Sequence, residues 1–310
     1  MPHLQSKTMQ FSATSNSQKV WRYGRTLIMA MQKYDKLNQL DRDLPEGLLV
    51  DAAWLSAKGY STALRSQYVT VGRLQQPANR VYRRPRGALS WQQAVLSLQL
   101  LLQHRLVVGG RTALELQGYA HYVSSGRSEV HLYGPSPPPT WLSTLPLKEQ
   151  FVYHNSTPLF GKEEPAPPFP ILIGGEVVDA DAGTPLESAG LRLLPWGQWD
   201  WPMVVSTPER AILEEFNELP DRESFHQADM LMEGLGDLSA RRLEALLVQC
   251  RSVKVKRLFF FFADRHGHAW LKRLDRAAVD LGKGKRMLVK GGRLDAIYEI
   301  TVPRELDEAR

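Results

Sequence analysis

Between Asp51 and Arg83 the start and stop signals follow one another too closely for any long element. Asp51 stands where a helix N-cap belongs, ahead of Trp54 and Leu55, and Gly59 supplies the left-handed residue that ends a short helix. Ser61 caps again, Leu64 and Tyr68 recur at helical spacing, and Gly72 stops the second helix. Leu74-Gln75-Gln76 and Val81-Tyr82-Arg83 then read as brief strands around Pro77-Ala78-Asn79-Arg80, whose Pro and Asn form turns. Upstream, Leu27, Met31, Tyr34 and Leu37 or Leu40 mark an earlier helix that Pro45 and Gly47 close. Three helices followed by a hairpin is the order of a winged helix-turn-helix over residues 27–87.

The charge in this segment is one-sided. From Ala52 to Leu114 there is no Asp or Glu, while Lys58, Arg65, Arg73, Arg80, Arg83, Arg84, Arg86, Arg105 and Arg111 all fall there. Soluble surfaces ordinarily mix both signs, so a cation-only stretch points to a polyanion, and the formal net charge of +6 agrees. Double-stranded DNA is the expected partner. With Leu64, Tyr68 and Val71 inward, a recognition helix from Ser61 to Val71 turns Thr62, Ser66 and Thr70 outward and leaves Arg65 and Val69 on its flanks. Base contacts are therefore expected from Thr62, Arg65, Ser66 and Thr70, the arginine being able to take guanine in two hydrogen bonds. Phosphate contacts are expected from Lys58, Arg73, Arg80, Arg83, Arg84 and Arg86.

Past Gly87 the texture changes, and residues 88–310 read as a larger mixed α/β domain, making the whole chain α+β. Ser90 caps one helix and Gly109-Gly110 begins another. Strands are expected at Glu129 to Tyr133, Phe151 to His154 and Leu191 to Leu194, separated by Pro135 to Pro139 and Pro165 to Pro170. Ser206-Thr207-Pro208-Glu209 has the spacing of a capping box. Helices are expected over Ala211 to Asn217, Glu223 to Leu235, Ser239 to Gln249 and from Val253 towards Leu274, with closing hairpins between Val279 and Val302. Residues 1–26, rich in Ser, Thr, Gln and Asn, read as a flexible tail, and Met29 or Met31 as an alternative start. No apolar run nears the ~20 residues of a membrane span. The lone Cys250, in an amphipathic stretch, fits a reducing cytoplasm and an inert buried thiol.

A second basic cluster, Lys254, Lys256, Arg257, Lys283, Lys285, Arg286 and Lys290, is interrupted by Asp264, Asp275 and Asp280 and forms a second anion site if it is not simply solvated surface. His266-Gly267-His268 lacks the third ligand a zinc site requires. Glu214 and Glu215 are helix neighbours pointing in different directions and read as solvated. Gly282-Lys283-Gly284-Lys285-Arg286 lacks the glycine spacing and the Ser or Thr of a phosphate-binding loop. No catalytic set, cofactor or metal is indicated. The rival reading is an RNA-binding or nucleic-acid-modifying enzyme that uses Asp264, His266 or His268 beside the C-terminal cations.

Several runs together resemble a known family. They are Gly59-Tyr60-Ser61, Gly109-Gly110-Arg111-Thr112-Ala113-Leu114-Glu115-Leu116-Gln117-Gly118, Leu132-Tyr133-Gly134-Pro135, Ser206-Thr207-Pro208-Glu209-Arg210-Ala211, and the long stretch from Lys256-Arg257-Leu258-Phe259 through Asp264-Arg265-His266-Gly267-His268 and Gly291-Gly292-Arg293-Leu294 to Ile300-Thr301-Val302-Pro303. This pattern is similar to the AbiE-type antitoxins of type IV, abortive-infection toxin-antitoxin systems, from about Lys33 to Pro303. The resemblance implies a non-enzymatic autoregulator whose winged helix binds inverted repeats in its own promoter. It also implies a C-terminal domain that neutralises a nucleotidyltransferase toxin without a stable complex.

Overall fold

The structure, a computed structural model, describes residues 35–119, 128–161, 168–178 and 183–307. The expected tail over 1–26 and the start of the first helix at Leu27 lie outside them. A helix over 35–43 (α1) leads into β1 (Leu49–Asp51), α2 (Ala52–Ala57), α3 (Thr62–Thr70) and the hairpin of β2 (Gln75–Ala78) and β3 (Val81–Arg83). β1 runs antiparallel to β3, with Val50 opposite Tyr82, and the strand order β1-β3-β2 completes a winged helix-turn-helix.

Its local causes are those legible in the chain. Asp51 Oδ1 accepts from Trp54 N at 2.7 Å, and Ser61 Oγ accepts from Leu64 N at 3.3 Å. Gly59 and Gly72 follow the helices at φ +82° and +73°, where a side chain would be strained. The inward face of α3 departs from expectation at two positions. Val71 is the C-cap, beyond the last helical residue, and stands 60% exposed, whereas Arg65, one turn from Ser61 and Tyr68, is buried.

After the head come α4 (Trp91–Leu96), opened by a reciprocal Ser90–Gln93 capping box, and a π-helical turn over Ser97–Leu101. β4 (Val107–Val108), α5 (Gly110–Leu116), β5 (Glu129–Gly134), β6 (Gln150–Asn155) and a single turn α6 (Thr157–Phe160) follow. A small hairpin, β7 (Ile171–Ile173) and β8 (Glu176–Val178), and α7 (Gly183–Ser188) precede β9 (Leu191–Trp196) and β10 (Trp201–Ser206). Five strands form one mixed sheet in the order β6-β5-β4-β10-β9. The C-terminal part is α8 (Pro208–Glu218), α9 (Phe225–Gly234), α10 (Ala240–Gln249), α11 (Val253–His266) and the hairpin β11 (Arg293–Asp295) with β12 (Ile300–Val302). α11 ends at His266, short of Leu274, because Gly267 takes φ +62°.

The two faces of the sheet differ chemically. Val108, Val130, Leu132, Met203 and Val205 join the apolar cluster that begins with Leu40, Leu49 and Tyr68 in the head, so this cluster continues past Gly87. Strand alternation turns His131 and Tyr133 of β5 to the opposite face, towards α5 and α8. A second apolar cluster, centred on Phe216, Phe259, Phe260 and Phe262, holds the C-terminal helices together.

Gln99 shows why α4 gives way to a π turn. The wider turn aims this fully buried side chain at the sheet, where Nε2 donates to Leu106 O at 2.7 Å and Val204 O at 3.0 Å, and Oε1 accepts from Val204 N at 2.9 Å. Replacing it with an isosteric apolar residue strands three buried backbone groups. Gln99→Leu is expected to lower stability by about 2–4 kcal/mol in equilibrium urea unfolding; a loss below about 1 kcal/mol would show that the sheet satisfies those groups by other means.

Candidate nucleic-acid interface

α3 presents Ala63, Ser66, Gln67 and Thr70 on one exposed stripe, at the spacing that makes helix neighbours, with Thr62 exposed at its edge. The Thr70 hydroxyl donates to Ser66 O at 3.0 Å, and the Thr62 hydroxyl accepts from Arg65. Gln67, passed over by sequence reasoning, has the longest side chain on the stripe and carries both a donor and an acceptor, the pair that recognises adenine in a major groove. Its position three residues after Leu64 placed it beside the supposed buried face. The real face is shifted by one residue.

Arg65 does not reach that surface. It is 7% exposed; Nη1 donates to Ala52 O at 2.8 Å and Ser56 Oγ at 2.7 Å, Nη2 donates to Thr62 Oγ1 at 2.8 Å, and the guanidinium lies over the Tyr82 ring. The expected guanine contact from Arg65 is therefore corrected: this side chain pins α3 to α2.

The expected phosphate cations divide in the same way. Arg83 is buried, with Nε donating to Gln75 Oε1 at 2.9 Å and Nη2 to Gly87 O at 2.5 Å. Arg84 closes the end of α1 through Asp41 O and Leu44 O and pairs with Asp41 at 3.1 Å and Glu46 at 3.5 Å. Arg86 pairs with Glu46 at 3.1 Å and lies over the Trp199 ring, and Lys58 pairs with Asp43 at 3.0 Å. The acids missing between Ala52 and Leu114 thus arrive from α1 and the turn after it. Arg73, just past α3, and Arg80, in the β2–β3 turn at φ +59°, are exposed and make no ion pair among the described residues.

The C-terminal cluster also separates. Lys254 donates to Asn217 O and Leu219 O, both at 2.7 Å, closing the end of α8, and burial lowers its pKa. Lys256 is buried, and the 1%-exposed Arg257 holds the glycine-rich loop through Leu281 O at 2.7 Å and Gly284 O at 2.6 Å. These three leave the anion site. Lys283, Lys285, Arg286 and Lys290 remain exposed along the loop that Arg257 anchors. His266 Nε2 lies 2.8 Å from Asp229 Oδ1 and His268 Nε2 2.8 Å from Met232 O. Among the described residues, no group of His, Cys, Asp or Glu is arranged to hold a metal ion. Asp264 is taken up by Arg276 and Tyr298.

Glu214 and Glu215 correct a further expectation, since both are fully buried. Glu214 accepts from Gly110 N at 3.0 Å, Arg210 Nε at 2.9 Å and the Ser206 hydroxyl at 2.9 Å, so Ser206 and Glu209 form no capping box. Glu215 accepts from Arg111 N at 3.2 Å, but its Oε1 has no partner, and desolvation with the neighbouring Glu223 pushes its pKa well up, so it holds its proton. Beside it runs a chain of rings: His131 Nδ1 lies 3.0 Å from His154 Nε2, and His154 Nδ1 lies 2.9 Å from Glu218 Oε2. Burial, then His154 and Arg111, drive the His131 pKa down to about 3, so its approaches to Glu129 and Glu223 are contacts of a neutral ring and not ion pairs. With His131 neutral, donation runs from Arg111 Nη2 to His131, from His131 to His154, and from His154 to Glu218.

A winged helix joined to a second α/β body, with its outward helix lined by short polar side chains, has the build of a transcriptional regulator. The N-terminal domain model of the AbiEi antitoxin transcriptional regulators matches residues 33–125, and the model described as transcriptional regulator, AbiEi antitoxin, type IV toxin-antitoxin system, matches residues 193–303. The chain belongs to this AbiEi antitoxin family. Among solved structures, the RV2827C protein from Mycobacterium tuberculosis is similar in fold, at a TM-score of 0.51 and 15% identity, over 85% of this chain and 88% of that one. No curated protein matches significantly. Among the described residues, no helix is long and apolar enough to cross a membrane.

The protonated Glu215 sets a pH dependence. Its folded-state pKa lies above the unfolded value near 4.5, so the native state holds a proton that the unfolded chain releases, and stability falls as pH rises through that window. Gln has no proton to lose. The stability of Glu215→Gln minus that of the parent should therefore rise as pH climbs from the unfolded value near 4.5 towards the raised folded-state pKa, by up to about 1.4 kcal/mol per pH unit. Urea unfolding at several pH values reads this difference, in which the opposing titration of His131 cancels. A flat difference would place the proton elsewhere.

Proposed function

We propose that this chain represses its own promoter by binding double-stranded DNA through the winged helix, and that its C-terminal domain neutralises a nucleotidyltransferase toxin without a stable complex. The observation that carries the first part is the exposed Ser66–Gln67–Thr70 stripe of α3, in the same winged helix as the exposed Arg73 and Arg80, which make no ion pair among the described residues. Short polar residues let a helix approach base edges closely, and Thr62, Ser66, Gln67 and Thr70 can each donate or accept there. Arg73 and Arg80 then meet phosphates, and the loop cations Lys283, Lys285, Arg286 and Lys290 supply a further backbone contact. The AbiEi family description, an antitoxin that is also a transcriptional regulator, supports the second part.

A gel-shift titration against the promoter region at several salt concentrations tests the DNA reading. Arg73→Ala with Arg80→Asn, the latter chosen because Asn tolerates the left-handed turn, should weaken binding to all sequences alike. The log–log salt slope should fall by about 0.9 for each lost phosphate contact. Arg84→Ala should leave the slope unchanged, its charge being already paired. Gln67→Ala should relax preference at one base pair, by about 1–3 kcal/mol. An unaltered slope in the double variant would rule out Arg73 and Arg80 as phosphate contacts. The same variant should still rescue growth in cells expressing the toxin, since its substitutions lie in the head alone.

A further inference from the structure

Arg83 of β3 is a buried cation that no acid balances. It is 5% exposed, and its guanidinium has neutral acceptors alone: Nε donates to Gln75 Oε1 and Nη2 to Gly87 O, while Nη1 is buried with no hydrogen-bond partner. Among the described residues it makes no ion pair, and burial lowers its pKa where a facing carboxylate would raise it. An arginine keeps its charge in a protein, so the desolvation cost of this one stands uncompensated. Arg65, also buried in the head, differs: both its Nη groups have acceptors, and its guanidinium lies over the Tyr82 ring.

Arg83 lines a cleft of about 810 Å³, in the size range of small-ligand sites. Three parts of the chain wall it: α3 and the wing through Val69, Leu74 and Pro77, the connection to α4 through Leu89, and the turn before β6 through Leu147. Gln75, exposed at the cleft, holds Nε by a neutral amide oxygen, which a carboxylate, the stronger acceptor, can replace. Lys148 and Glu149 line the cleft as well, and their opposite charges leave that of Arg83 to be balanced. The site therefore suits one negative charge better than two.

We propose that this cleft binds a small organic carboxylate with an apolar body. The carboxylate accepts from the Arg83 guanidinium, and the body lies on Val69, Leu74, Leu89 and Leu147. Such an occupant bridges the winged helix and the turn before β6. The site involves no DNA, so it stands or falls apart from the promoter reading.

Isothermal titration calorimetry on the full chain tests this with naphthylacetate and octanoate as carboxylates of different body, naphthylacetamide as the uncharged equivalent, acetate as the carboxylate without a body, and naphthyl phosphate as the dianion. At least one of the two larger carboxylates should bind with a Kd below about 1 mM, and the amide and acetate at least about tenfold more weakly. Naphthyl phosphate should bind more weakly than naphthylacetate. Arg83→Met should abolish binding. Leu147→Asp, a half-buried position on the wall that leaves the bonds of Arg83 intact, should weaken it about tenfold or more even if Arg83→Met fails to fold, urea unfolding showing which variants are native. Absence of binding by both larger carboxylates at ~10 mM overturns the proposal. So does unchanged affinity in a folded Leu147→Asp variant, or an amide that binds as tightly as its acid, and tighter binding of naphthyl phosphate overturns the assignment to a carboxylate.

Discussion

The carboxylate of Glu214 is the point on which the halves of this protein meet. A fully buried charge is tolerable only when its oxygens are supplied with donors, and here three elements supply them: the backbone of Gly110 at the start of α5, the hydroxyl of Ser206 at the end of β10, and the guanidinium of Arg210 one turn back on α8. The approach is so close that a Cβ at Gly109 would overlap both this carboxylate and the Tyr133 ring. Removing the carboxylate would take from Gly110 N, the Ser206 hydroxyl and Arg210 Nε the oxygens to which they donate. One side chain thus fixes where α8 sits on the sheet, and α8 in turn positions α9, α10 and α11 through the Phe216 cluster.

The sheet transmits that placement because its two faces do different work. Towards the head it is apolar and close-packed, so position is set by shape. Towards α8 it is polar, and position is set by direction: Arg111, His131, His154 and Glu218 hand hydrogen bonds along one line, and Glu215 keeps its proton beside them. Such a layer adds little stability over a hydrophobic equivalent, yet any slip of α8 along the sheet breaks several hydrogen bonds at once. The parallel register of β5 on β6, Tyr133 opposite His154, is what stacks the Tyr133 and His154 rings at 4.5 Å between centroids.

Local chemistry was legible in the chain and long-range pairing was not. Asp51, Ser61, Gly59 and Gly72 act on residues two to four positions away, so their capping roles could be read directly and the winged helix followed from them. The electrostatic reading failed where it treated a run of sequence as a patch of surface: Lys58, Arg84 and Arg86 meet Asp43, Asp41 and Glu46, which lie outside the run but beside it in space. Arg65 was misplaced because the buried stripe of a nine-residue helix is ambiguous by one position, and a long side chain reaches neutral acceptors that a periodicity argument does not weigh. Glu214 and Glu215 were read as solvated for a similar reason, since nothing within α8 announces the donors from α5, 104 residues away. β10 went unrecognised; it carries Pro202 as its second residue, and a proline counts against a strand in a sequence reading.

The head is not tethered by a flexible linker. Leu49 N of β1 donates to Ser97 Oγ at 2.7 Å in a fully buried contact, and Leu48, Val50 and Tyr82 share one apolar cluster with Leu96, Leu98 and Met203. To swing relative to the body, the winged helix would have to expose that cluster, at about 25 cal/mol for each Å² uncovered. α3 therefore stands at a fixed distance and angle from the loop bearing Lys283, Lys285, Arg286 and Lys290. If both touch one duplex, their separation along it is set by the protein core and not by the DNA. Sequence preference would then depend on how easily a given DNA bends to satisfy that spacing, in addition to any reading of base edges by Gln67 and its neighbours.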